Sequence, residues 1–479
     1  MQKLPVKEIL NSVGPGFCPQ KWRWLALYLQ TGHKHSCHQP TLSRIPLEAI
    51  QINPAALHNT PHEKEMRKQM LSGDRPKECS YCWNIEDIGN VSDRFTKNVD
   101  SVNQLFDITQ ETNVLRNLSW EADVNPYNME ISFSNACNFK CGYCCPSFSS
   151  LWENEIKQFG KYDIKDGQYD LWDGIYSDED ENPYVEAFWK WWPTLKNDLK
   201  IFRITGGEPL MSPHVWRILE WFELNGSDIQ FAINSNLGAK TDIIDKFINH
   251  AKQIKNLQVY TSCEATGAMA EYIRDGLDWN LWVNNVHRIC TEAKPKGLHM
   301  MCTINALCLW DLPQFLDWCL SVKEQYGRDY PTFTLNILRF PSFQSPLVLP
   351  GNILQERAAV LESWLDRNRS SQLLHQMEIN HVQRLIEYLR EEDPLDAVHR
   401  SVETCIKLAE PENIQANDVL RYGNKNKICF AIVTGKISPW ILYQSTSGVK
   451  FMDELDATQV KMIIDYIDPE KWALKFHRE

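Results

Sequence analysis

The sequence has no run of about 18 consecutive apolar residues, so a transmembrane helix is excluded by length alone. Its start, MQKLPVKEILNSVGPGFC, has no apolar core behind a basic first stretch, so a secretory signal is not expected and a cytoplasmic protein is. It has no excess of positive charge either. Against 62 acidic residues stand 50 basic ones, a formal net charge of -12. A phosphate backbone needs a basic surface, so neither nucleic acid nor membrane is expected as a partner. Internal repeats and low-complexity tracts are also missing.

What the sequence does have is cysteine, 15 residues of it. In a cytoplasmic chain thiols stay reduced, so disulfides do not account for them, and metal binding or catalysis is the usual reason. The 479 residues, 43% of them hydrophobic, suffice for one large domain with smaller flanking units.

The organisation changes along the chain. Residues 1–105 are rich in loop-forming residues and carry Cys18, Cys37, Cys79 and Cys82. Residues 126–345 alternate strand-like and helix-like patterns. MEISFS, LKIFRIT, IQFAIN, LQVYTS, LHMMCTI and FTLNIL read as short buried strands, with helical runs such as VWRILEWFE and IIDKFINHAKQI between them. That alternation predicts an α/β fold with parallel strands, and six of them predict a partial (β/α)6 barrel of the TIM-like kind. The acidic, aromatic stretch 160–183 reads as a surface excursion, or as a lid over the barrel mouth. Residues 346–423 read as a helical extension. Residues 424–479, with KICFAIV, WILYQST and ATQVKMIIDYI, read as a small α+β appendage.

The most informative segment is MEISFSNACNFKCGYCCPS, which sets Cys137, Cys141 and Cys144 as C-x3-C-x2-C directly after a strand. Three thiolates on one tight loop can hold three irons of a [4Fe–4S] cube, leaving the fourth open to an exogenous ligand. The alternative is a structural zinc site with Cys145 as fourth ligand. Adjacent cysteines rarely both chelate one tetrahedral ion.

These residues resemble the radical S-adenosylmethionine superfamily. The resemblance implies that the open iron takes the amino and carboxylate groups of S-adenosylmethionine. One electron from the reduced cluster would then cleave a C–S bond to give methionine and a 5′-deoxyadenosyl radical. Tyr143, just before the third cysteine, takes the family's aromatic position and would pack near the adenine. FRITGGEPLMSP resembles the GGE motif, so Gly206, Gly207 and Glu208 would line the cofactor's amino-acid end. Glycines let the backbone come close, and Glu208 can accept from the ammonium. INSNLG supplies Ser235 and Asn236, and TSCEATG supplies Ser262 and Glu264, as ribose contacts. In EYIRDGLDW, Arg274 would reach the cofactor carboxylate. Each of these is equally compatible with an ordinary polar residue at a strand end.

Further toward the start, Cys18, Gly32 and Cys37 in the spacing C-x13-G-x4-C precede the C-x2-C of Cys79 and Cys82. This resembles the auxiliary-cluster module called SPASM, in the shortened form called twitch, here placed before the barrel. The stretch EMRKQMLSGDRPKECSYCW and the later SDR and Asn98 extend the likeness to proteins with an N-terminal twitch domain. The resemblance covers roughly residues 15–420 and implies a second, fully ligated [4Fe–4S] cluster. Two departures stand out. Ile88 occupies the position of a further SPASM cysteine, and Lys21 precedes Trp22 where most members have proline. A zinc ribbon on the same four cysteines is the alternative, with His33, His35 and His38 near Cys37 as further donors. The remaining cysteines read as core, since free cysteine behaves as a small hydrophobe. Cys263, at a strand's C-terminal end, is the one candidate hydrogen donor to a substrate radical.

The expectation is a radical oxidoreductase or maturase that abstracts hydrogen from a peptide or small molecule. It would use S-adenosylmethionine, two [4Fe–4S] clusters, and a flavodoxin- or ferredoxin-like electron donor. The competing expectation is a non-catalytic, zinc-stabilised binding protein derived from the same fold.

Overall fold

A computed structural model describes residues 6–98, 105–160 and 174–390, and short strands between 421 and 449. It divides into two compact units. The first comprises Met1–Asn135, Asp173–Ile218 and Ser227–Ile233; the second comprises Ala136–Trp172, Leu219–Gly226 and Asn234–Glu479. Between residues 24 and 337 the strands are β1 (Trp24–Tyr28), β2 (His33–His35), β3 (Ser43–Arg44), β4 (Asn128–Ser132), β5 (Lys140–Cys141), β6 (Ile201–Thr205), β7 (Gln230–Asn234), β8 (Leu257–Thr261), β9 (Arg274–Asp275), β10 (Gly297–Ile304) and β11 (Thr332–Ile337).

In the first unit the strand order is β7-β6-β4-β1-β2-β3. Strands β1, β4, β6 and β7 pair in parallel, and β2 and β3 add antiparallel at the edge. Side chains alternate across the strands. Met129 and Ile131 of β4 and Phe202 and Ile204 of β6 are fully buried. Phe188 and Trp192 of the helix Pro183–Leu195 pack on Phe202. The opposite face carries Glu130 and Arg203, which are register partners, and both are only half-buried. In the second unit β8, β10 and β11 are parallel neighbours. Trp282 of the helix Trp279–Arg288 donates to the Thr261 hydroxyl at 3.3 Å. All six expected strands are present, separated by helices, as a mixed α/β fold with a largely parallel sheet requires.

The first hundred residues are more ordered than their composition suggests. The helix Pro61–Leu71 starts on Thr60, whose hydroxyl accepts from the Glu63 amide at 3.0 Å, with proline at the first helical position. The helix Ser80–Asp87 carries Cys82 and Trp83. These elements close over a core of Leu10, Phe17, Trp22, Met70, Phe95 and Leu115, in which Cys79 and Cys82 also lie. Strand β1 is the other departure from a loop-rich reading. It pairs with β4 from Trp24 opposite Asn128 to Tyr28 opposite Ser132.

The described part of the C-terminal extension holds the helices Gly351–Asn368 and Gln376–Leu389, the helical turn Pro346–Val348 and, departing from the helical expectation, the short strand Arg421–Gly423. The strands Lys427–Cys429, Ala431–Ile432, Ile441–Leu442 and Gln444–Ser445 fall in the two strand-like runs of the appendage. Residues 161–173 of the acidic excursion, 391–420 of the extension and the run ATQVKMIIDYI lie outside the described residues. Among the described residues no helix is long and apolar enough to cross a membrane.

Candidate functional site

The loop of Cys137, Cys141 and Cys144 belongs to the second unit, and each part of it is tied down. The Cys137 amide donates to Ser150 Oγ at 3.2 Å. Ser149 Oγ donates to the Phe139 carbonyl at 2.7 Å, and Trp152 Nε1 to the Cys141 carbonyl at 3.0 Å. These three contacts come from the start of the helix Ser150–Phe159. On the other side β5 pairs with β9, so that Cys141 faces Arg274. Gln344 Nε2 donates to the Gly142 carbonyl at 2.6 Å.

Burial disfavours the thiolate at both Cys144 and Cys141. Cys144 is pushed well above an ordinary thiol by burial and then by the nearby sulfurs of Cys145, Cys141 and Cys137. Burial also raises Cys141, which the guanidinium of Arg274 partly offsets. Sulfurs crowded in this way cannot ionise together unaided. A bound cluster would supply the positive charge that lets them do so.

Around this loop lies a buried polar network. Arg274 Nη2 donates to Glu264 Oε2 at 2.6 Å, and Nη1 stands 3.7 Å from Cys141 Sγ. Tyr143 Oη donates to the other oxygen of Glu264 at 3.1 Å, and its ring lies beneath the Arg274 guanidinium at 5.5 Å. The Arg274 Nε is buried without a hydrogen-bond partner among the described residues. Asn236 Nδ2 donates to Asn138 Oδ1 at 2.8 Å, and Asn138 donates to the Gly238 carbonyl at 3.1 Å, which clamps the cysteine loop to the segment after β7. Ser235 Oγ accepts from the Leu237 amide at 3.1 Å. Ser262 is half-buried at the end of β8. Cys263 is fully buried, and its thiol donates to the Ala265 carbonyl at 3.2 Å. Burial raises it to about 12.

Gly206, Gly207 and Glu208 belong to the first unit and follow β6. Gly206 has φ +125°, and a Cβ there would come within 2.7 Å of Ser132 Oγ, so this position requires glycine. The Gly207 amide donates to the Ser134 carbonyl at 3.3 Å. Glu208 is 1% exposed, and its carboxylate accepts from the Leu210 amide at 3.0 Å. Asp178, from the described end of the acidic excursion, accepts from Ser134 Oγ at 2.8 Å and from Ser212 Oγ at 2.9 Å. It therefore joins the end of β4 to the turn after Glu208.

The four N-terminal cysteines converge in the same unit. Cys18, Cys37, Cys79 and Cys82 line one pocket, together with Lys21, Asp93, Arg94 and Lys97. Asn98 Nδ2 stands 3.6 Å from Cys18 Sγ, and the Gln39 amide 3.5 Å from Cys37 Sγ. Burial raises Cys18 to about 11 and Cys79 to about 12, and raises Cys37 and Cys82 as well. Gly32, the glycine of the spacing, has φ +67°, and a Cβ there would meet the Tyr184 ring at 2.2 Å. The donor set of four sulfurs beside three cations fits an anionic cluster. Among the described residues no three His, Cys, Asp or Glu side chains converge tightly enough to hold a single metal ion. His35 and His38 pack against Trp24, and neither lines the pocket of the four cysteines.

The sequence carried no sign of the buried charges behind this cavity. Lys21, which departs from the expected proline, is 2% exposed and pairs with Glu78 and, at 3.7 Å, with Glu63. Glu63 also pairs with Lys34 at 2.5 Å.

No family model matches the chain, and no curated protein matches it. Among solved structures it is similar to Streptococcus suis SuiB bound to S-adenosylmethionine, at 11% identity over 64% of this chain and 64% of that one, with a TM-score of 0.35. SuiB bound to the precursor peptide SuiA gives 12% identity over 69% and 65%, with a TM-score of 0.34. anSMEcpe with bound AdoMet gives 15% identity over 50% and 60%, with a TM-score of 0.31. The chain thus spans a little under two thirds of the length of the SuiB chain it matches.

Proposed function

We propose that this chain is a radical S-adenosylmethionine enzyme, with its first [4Fe–4S] cluster on Cys137, Cys141 and Cys144 and an auxiliary [4Fe–4S] cluster on Cys18, Cys37, Cys79 and Cys82. The observation that carries the reading is the loop itself. Three cysteines in C-x3-C-x2-C spacing share one loop, Cys137 buried and Cys141 and Cys144 half-buried, and Cys141 faces Arg274 across a strand pair. When bound, the reduced cluster and S-adenosylmethionine supply one-electron C–S cleavage, and hence a species able to take an unactivated hydrogen.

The residues of the chain then have definite tasks. Arg274 offers a positive charge and an N–H toward Cys141 Sγ, which supports the thiolate over the thiol. Glu264 fixes that guanidinium and receives the Tyr143 hydroxyl, so ring and cation are held as one unit. Glu208, buried just after β6 and accepting from the Leu210 amide, is the carboxylate that would meet the cofactor's ammonium. Asn138 and Asn236 keep the loop from spreading. In the auxiliary cavity four thiolates close all four irons, leaving electron transfer or support of the fold as the available roles.

The barrel form, the separate twitch domain, the oxidoreductase or maturase chemistry and a peptide or small-molecule substrate belong to the same reading. The zinc alternative would use the same four N-terminal sulfurs. Metal and sulfide analysis of anaerobically purified protein separates the two. About eight irons and eight sulfides per chain are expected for two [4Fe–4S] clusters. Zinc without sulfide would replace this reading with the binding protein.

A further inference from the structure

Lys21 is the least expected residue in the wall of the auxiliary cavity. A lysine that is 2% exposed must be paired, and this one is, by Glu78 and Glu63. Its carboxylates are shared. Glu78 also accepts from His62 at 2.5 Å, and Glu63 from Lys34 at 2.5 Å. Arg67, fully buried, adds a third cation beside Glu63 and is fixed on Asn59 at 2.8 Å. Lys21, Lys34 and Arg67 thus share the buried carboxylates Glu63 and Glu78.

The other cations of the wall are offset. Arg94 is held by both oxygens of Glu86 at 2.9 and 2.8 Å. Lys97 is partly exposed and pairs with Asp93 at 3.2 Å. Of the buried cations that share Glu63 and Glu78, Lys21 is the one that lines the pocket with the cysteines. Burial alone would favour its neutral form, but the carboxylates of Glu63 and Glu78 hold it as an ammonium.

We propose that Lys21 is a positioning charge that sets the reduction potential of the group held by Cys18, Cys37, Cys79 and Cys82, holding it higher than the cysteines alone would. This rests on the reading that the cavity binds a cluster. The physical basis is that adding an electron to a cluster already negative is favoured by a fixed cation nearby, and weak screening in the interior preserves the effect. Lys21 touches neither substrate nor the reacting atoms in this account. It acts through Cys79.

The test is an EPR-monitored redox titration of the reconstituted holoprotein. The signal to follow is the one lost in the Cys79→Ala/Cys82→Ala variant. Lys21→Met should lower its potential, by about 59 mV if the reduced-to-oxidised ratio at fixed potential changes tenfold. Lys21→Arg should restore most of the wild-type value. Glu78→Gln removes an opposing charge and should move the potential the other way, which keeps the test decisive if Lys21→Met folds poorly. Wild-type potentials in both Lys21→Met and Glu78→Gln, with the signal and iron content intact, would overturn the role of Lys21. If instead the double cysteine variant loses no signal and no iron, the auxiliary cluster itself is absent, and this inference goes with it.

Discussion

Arg274 and Glu264 form an ion pair of 2.6 Å with side chains 5% and 1% exposed, in the same network that reaches Cys141 and Tyr143. A buried pair of this kind is costly to halve, because the remaining charge has nowhere to go.

Arg274→Ala should therefore destabilise the apoprotein by about 3–5 kcal/mol. Adding Glu264→Gln to Arg274→Ala should recover part of that loss, since it removes the stranded charge. Urea denaturation of the two single variants and the double gives the coupling. Additive losses would mean that the two side chains do not act as a pair.

Glu208→Ala should weaken S-adenosylmethionine binding while the first cluster still assembles. Loss of a charge-assisted hydrogen bond costs about 1.5–3 kcal/mol, roughly ten- to over a hundredfold in affinity. Calorimetric titration of the reconstituted protein measures it. Unchanged affinity removes Glu208 from the site.

Much of this was legible in the sequence, for reasons visible in particular residues. The six strands stood out because each is a short apolar run bounded by helices, and Met129, Ile131, Phe202 and Ile204 are buried as such runs require. The cysteine loop stood out because its ligand spacing is local. Strand β1 was hidden, because its partner β4 lies about a hundred residues downstream and no local pattern encodes that pairing. Asn236 shows a second limit. A polar residue after a strand gives no sign in the sequence that it also holds Asn138 of a neighbouring loop. The pairing of Lys21 with Glu63 and Glu78 was hidden for the same reason as β1, since a lysine near a cysteine carries no mark of burial.

Acid should destabilise the protein through His58. The ring is fully buried, and burial and then Arg67, 3.0 Å away, hold it well below the ordinary histidine range. In the unfolded chain the same ring takes up a proton below pH about 6.5. Below that pH the unfolded state binds the extra proton, so stability falls as pH drops through 6.5, by up to about 1.4 kcal/mol per pH unit for this one group. Denaturation curves between pH 7.5 and 5 should show the fall, and His58→Gln should flatten it. An equal slope in the variant would assign the effect elsewhere.

Replacing Cys79 and Cys82 together with Ala should remove about four irons per chain. Cleavage of S-adenosylmethionine should persist, because Cys137, Cys141 and Cys144 are untouched, while substrate conversion stops. Iron analysis and a conversion assay read the two effects separately. Conversion at full rate without these irons would leave the N-terminal cluster a structural part only.

The central claim is that the turn of Cys137, Cys141 and Cys144 is where S-adenosylmethionine is reductively cleaved. Its most direct measurement is 5′-deoxyadenosine formed from S-adenosylmethionine and dithionite under anaerobic conditions, in the wild type and in Cys141→Ala. The wild type should produce it. Cys141→Ala should fall to background while its far-ultraviolet circular dichroism stays that of the wild type. Wild-type accumulation of 5′-deoxyadenosine in Cys141→Ala would contradict the assignment of this loop.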